Sequence, residues 1–189
     1  MKRLIVLLLC LCTLLTSCSS NRKIYSELNF WDYAFRSDDY VCCTVLDKIV
    51  TSIEANDKEL LLSLFSENAK AECQSLEEQA EALFNYCSGK LISFGEFRGL
   101  PNTFSDYREG ELVKESHIPT YDINTSDGSY RLTFEYVEVD LNNTTNEGIL
   151  SLYVIYAEDD IDLNYAYRMS GEYIPGIHIG VIDLEYEYE

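Results

Sequence analysis

Few side chains in this 189-residue sequence have a type and spacing that chemistry requires. Asp160, Asp162 and Asn164 stand in a D-x-D-x-N spacing within the run from Glu158 to Asn164, a concentration of oxygen ligands that suits a hard cation. A calcium loop of the EF-hand kind also needs glycine at its sixth position and glutamate at its twelfth, to turn the chain and close a bidentate carboxylate on the ion. Tyr165 and Gly171 hold those places, so a solvated acidic loop is expected, with an adventitious calcium site as the alternative. The two histidines, His117 and His178, carry imidazoles whose charge changes near neutrality. On a strictly alternating strand His117 and Tyr121 share a face with Val113 and Glu115, although Pro119 can shift that register. A histidine beside a carboxylate can act as a base, but spacing alone pairs neither histidine with one.

Cysteine offers further chemistry, and most of it concerns address rather than catalysis. Met1-Lys2-Arg3 is a short positive segment, followed by an apolar run from Leu4 to Leu15. Twelve helical residues rise about 18 Å, short of the ~30 Å hydrocarbon core, so the run predicts a cleavable leader rather than a membrane span. Leu15-Thr16-Ser17-Cys18 resembles the bacterial lipobox. That resemblance implies diacylglyceryl transfer to the Cys18 thiol, cleavage before it, and lipid anchoring on the extracytoplasmic face of the cell membrane; two acyl chains suffice for stable anchoring. The expected organisation is a leader over 1–17, a tether over 18–36 and a single α+β domain over 37–189. Of the seven cysteines, Cys10 and Cys12 leave with the leader and Cys18 is acylated. Cys42, Cys43, Cys73 and Cys87 remain; all fall in segments read as helix, where small buried thiols pack well. Four buried free thiols are expected, with a Cys73–Cys87 bond as the alternative. Among these cysteines no CxxC pair with a nearby histidine points to zinc.

The elements that would position these groups follow from periodicity. Ser37-Asp38-Asp39 starts a helix, and Val41, Val45, Leu46, Ile49 and Ile53 recur on one face of it. Asn56-Asp57-Lys58-Glu59 resembles a capping box before Leu60, Leu61, Leu64 and Phe65, and Ser66-Glu67-Asn68 breaks or re-caps that helix. A third helix is expected from about Cys73 to Cys87, with Gly89 as its stop and Glu72, Glu77, Glu78 and Glu81 on its solvated face. Beyond Gly89 the period falls to two. Residues 91–97, 112–123, 130–141 and 149–157 read as strands, with a last strand over 177–186. Ser126-Asp127-Gly128 marks a hairpin, Asn142 to Gly148 a longer turn, Gly95 and Gly99 bulges or bends, and Pro119 an edge-like or bulged strand. Helices first and a consecutive meander afterwards predict an α+β fold with the helices packed on one face of a curved antiparallel sheet.

In that order, three helices and a bent meander resemble the cone-shaped nuclear-transport-factor-two-like (cystatin-like) fold. More narrowly, the chain resembles uncharacterised bacterial lipoproteins with such a domain. The residues behind the likeness are the segment ending at Cys18, Asn56-Asp57-Lys58-Glu59 leading into Leu64-Phe65-Ser66, Gly89-Lys90-Leu91-Ile92-Ser93 and Ile118-Pro119-Thr120-Tyr121. Tyr130-Arg131-Leu132-Thr133-Phe134 and Gly148-Ile149-Leu150-Ser151-Leu152 complete it. The resemblance implies a fold and a location, not an activity. Enzymes of that fold, isomerases and dehydratases, place an Asp or a His beside tyrosines in the cone, which makes His117, His178, Tyr121, Tyr136 and Asp140 the candidates here. No motif assigns them catalysis, and no cofactor or metal is expected, so a non-catalytic binding or structural domain is the reading taken forward.

Charge narrows the partner. The formal charge of −19 argues against nucleic acid, which requires a basic face. Without Lys2 and Arg3 it deepens to −21, of which residues 109–189 carry −15 with 18 acidic and 3 basic side chains. Fifteen tyrosines, many in the C-terminal third, add rigid contact area with a polar tip. Besides the membrane at Cys18, this charge asymmetry would suit a basic exported protein or peptide, with solubility near an anionic cell surface as the alternative.

Overall fold

A computed structural model describes residues 38–97, 102–160 and 174–180. The leader, Cys18, the tether, Asp162 and Asn164 lie outside them. Helix α1 spans Asp38–Ala55, and Cys42, Val45, Leu46, Ile49 and Val50, spaced by three and four, form its buried stripe. Asp57 caps α2, Lys58–Ser63, by accepting the Leu60 N–H at 2.9 Å. Ser66 caps α3, Glu67–Glu72, in the same way through Ala69. Helix α4 is Leu76–Tyr86 and buries Leu76, Ala80 and Leu83, with Glu77, Glu78 and Glu81 exposed. The expected helix from Cys73 is thus shorter, because Cys73 ends α3 and Cys87 ends α4. All four described cysteines are free thiols; burial pushes that of Cys87 up to about 12.

Among the described residues seven strands make one sheet: β1 Leu91–Phe97, β2 Asn102–Arg108, β3 Glu111–Ile118, β4 Thr120–Thr125, β5 Ser129–Asp140, β6 Gly148–Tyr156 and β7 Gly176–Ile179. The order β1-β4-β5-β3-β2 arises because the twelve-residue β5 pairs β4 with its first half and β3 with its second. Its other edge pairs β6 from Tyr130 to Val137. Pro119 lies between β3 and β4, flanked on both sides, so it bends an inner strand rather than marking an edge. Gly95 sits at a register shift of β1, as expected of a bulge. Two corrections concern the sheet. Strand β2, paired to β3 through a turn at Glu109-Gly110, was not expected, and β7 runs parallel to β6, so the sheet is mixed. Tyr121, Tyr130, Leu132, Phe134 and Leu152 face the helices and join one buried core with α1 and α4.

The helical layer is tied to the sheet where Phe65 bridges Ile149: Ser66 N–H donates to Ile149 O at 3.0 Å and Ile149 N–H to Leu64 O at 2.8 Å. This approach needs Gly148, which has φ +123 and would place a Cβ 2.8 Å from Ser66 N. Gly148→Ala is expected to cost about 2–3 kcal/mol, read as a fall in the urea midpoint.

Candidate functional site

Polar side chains converge where β2, β3 and β5 meet. Thr103 and His117 are cross-strand partners, as are Ser105 and Glu115, so their side chains share one face. On β5 the register slips, with Glu115 opposite Val139 and Ser116 opposite Val137. Glu138 is therefore the bulged residue, and the bulge aims it at the imidazole. His117 is fully buried; its Nε2 lies 3.2 Å from Glu138 Oε2 and its Nδ1 3.1 Å from Thr103 Oγ1. A carboxylate can only accept, so in the neutral ring Nε2–H donates to Glu138 and Nδ1 accepts from the Thr103 hydroxyl. Ser105 Oγ holds Glu115 Oε1 at 2.9 Å. One ligand atom from each of Glu115, His117 and Glu138 lies within 4.8 Å of the others.

A groove of about 600 Å³ runs along β2 and β3, lined by Thr103, Phe104, Ser105, Asp106, Lys114 and Ser116, with Glu135 of β5. Glu135 is buried, and its Oε2 finds no hydrogen-bond partner among the described residues. Burial pushes its carboxyl up to about 7, partly opposed by the Lys114 ammonium. Because the folded protein then holds this proton more tightly than the unfolded chain, stability is expected to fall as pH rises from about 4.5 to 7. Glu135→Gln removes that slope and raises stability at pH 8 by an amount on the order of 2 kcal/mol, read from urea midpoints at pH 5 and pH 8.

The remaining candidates are scattered. Tyr121 is core: its ring stacks on Phe134 at 6.2 Å and its hydroxyl lies 3.7 Å from Cys43 Sγ. Tyr136 is half-buried opposite His117. Asp140 closes its own turn, accepting from the Asn142 and Asn143 N–H groups and from Asn146 Nδ2, which hold its carboxyl below the usual range. His178 lies on β7, separated from β3 by β5 and β6; it stacks on Tyr153 at 4.6 Å and donates from Nε2 to Ile174 O. The acidic run after β6 is not wholly solvated. Asp160 is buried against the Arg131 guanidinium, which also donates to Asp122 Oδ1 at 3.0 Å. Glu138, Glu135 and Arg131 were missed as site residues because each acts on a partner that a strand register supplies.

A cavity of about 130 Å³ lies where α1 and α4 end over β1 and β4, and none of the five enzyme candidates lines it. No helix among the described residues is long and apolar enough to cross a membrane. A search of curated proteins finds no match to the chain. A family model described as a domain of unknown function, DUF5104, matches residues 48–157, from within α1 to just past β6, and takes in Glu115, His117, Glu135 and Glu138. With more than half of its length matched, the chain belongs to the DUF5104 family.

Proposed function

We propose that the protein is a lipid-anchored, extracytoplasmic, non-catalytic binding domain with the bent-sheet, cone-like architecture of the cystatin-like folds, and that it receives a basic exported protein or peptide. The observation that carries this reading is the contrast between the two sides of the sheet. The helix side is filled by Tyr121, Tyr130, Leu132 and Phe134, whereas the opposite side opens as the groove that holds Asp106 and Glu135. Phe104, 56% exposed on β2, adds an aromatic face of the kind on which lysine and arginine side chains settle. The acid excess of the sheet half supplies the complementary field. Against catalysis in the cone stand Tyr121 and Asp140, which are engaged in core packing and in a turn.

Two experiments test the reading. Cys18→Ser should abolish fatty-acid labelling in cells and release the chain from the membrane fraction; unchanged labelling would sink the anchor. The full chain should bind an arginine-rich peptide, more weakly as salt rises, and Asp106→Asn together with Phe104→Ala should reduce that affinity at least ~10-fold. Equal binding of a glutamate-rich peptide would overturn the proposed partner.

A further inference from the structure

We infer that Glu115, His117 and Glu138 form a site for a divalent cation of the zinc class. The ligand set is one imidazole nitrogen and two carboxylates, with each ligand atom within 4.8 Å of the others. Zinc holds nitrogen and oxygen at about 2.0–2.2 Å, which sets neighbouring ligand atoms about 3.4 Å apart, so the two carboxylates need close in by only about an ångström. Both glutamates are partly exposed, while His117 is fully buried.

The surroundings suit a cation. Two carboxylates converge on one imidazole, a donor set of the kind that holds a divalent cation. Lys114, the cross-strand partner of Asp106, lies on the other face of β3 from His117. A cation at Nε2 takes the place of the proton now shared with Glu138, and that proton leaves to solvent. Nδ1 then carries the ring hydrogen, and the Thr103 hydroxyl turns from donor to acceptor to receive it. Ser105 meanwhile holds Glu115 in place. An imidazole in the set favours zinc or iron over calcium and magnesium, and three protein ligands leave a position open for water or a ligand. From sequence alone no metal was expected, because Glu115-x-His117 is only two thirds of the set and the bulge at Glu138 supplies the rest.

The test uses the full chain, freed of metal by a chelator. Zn²⁺ titrated by calorimetry should bind with one equivalent at this site, and Co²⁺ in its place should develop the visible absorption of a four- or five-coordinate ion. Glu138→Gln and Glu115→Gln should each weaken binding at least ~10-fold, and Thr103→Val by about 10–100-fold, with unchanged circular dichroism. In the unaltered chain Zn²⁺ should also shift the Nε2 resonance of His117, a readout that needs no variant. A His117 resonance that does not move, or affinity unaltered in both glutamine variants, would mean an adventitious cation only and overturn the site. None of the three ligand residues lines the groove, so that outcome leaves the peptide-binding reading standing.

Discussion

Phe134→Ala is expected to lower the unfolding free energy by about 3–5 kcal/mol, enough to remove much of the stability of a domain that has only about 5–15 kcal/mol in all. Phe134 is fully buried in the middle of β5, the strand on which β3, β4 and β6 all pair. Its ring stacks on Tyr121, and Leu152 lies opposite on β6. Truncation loses the transfer energy of the ring and leaves a cavity that cannot collapse, since its walls belong to hydrogen-bonded strands. The measurement is a urea titration, with Ile92→Ala, 70% exposed on β1, as a control expected within ±0.5 kcal/mol. A cost below about 1 kcal/mol for Phe134→Ala would refute the packing of helices on this face.

Arg131→Met is expected to cost about 3–5 kcal/mol for a different reason. The guanidinium donates from Nε to Asp122 and from Nη1 to Asp160, and all three side chains are buried. Methionine fills much of the volume but leaves two carboxylates buried without the cation that compensated their desolvation. The triple variant Arg131→Met, Asp122→Asn, Asp160→Asn should recover most of the loss, because the cost lies in stranded charge rather than in absent attraction. If the triple variant is no more stable than the single one, the cluster does not act as this compensated set. Asp160 follows the last residues of β6, so the same pairs pin the chain as it leaves the sheet.

How legible each feature was depends on the distance over which its cause acts. Helix stripes and caps depend on residues three and four apart, and Asp57, Ser66 and the apolar positions of α1 were readable for that reason. The hairpin at Ser126-Asp127-Gly128 and the bulge at Gly95 likewise rest on local backbone preferences. Strand β2 was not readable. Asn102–Arg108 is exposed at nearly every position and shows no apolar alternation; its conformation comes from the ladder it forms with β3. Cross-strand neighbours were less legible still. The turn role of Asp140 had a local signal in the following Asn142 and Asn143, since aspartate readily accepts from backbone groups two and three residues on.

By itself, then, the sequence determined the types of the elements other than β2, the α+β order, the core-facing positions of the helices and the acid excess of the sheet half. Each of these is a sum over local preferences or a count of side chains. Only the tertiary structure decided which polar groups meet: Glu138 with His117 across 21 residues, Arg131 with Asp160 across 29, and β7 parallel to β6. Such meetings hang on strand register, where a one-residue slip sends a side chain to the opposite face. At Glu138 the register is set by a bulge whose position is fixed by the whole ladder, which is why the imidazole's partner became visible only in the folded sheet.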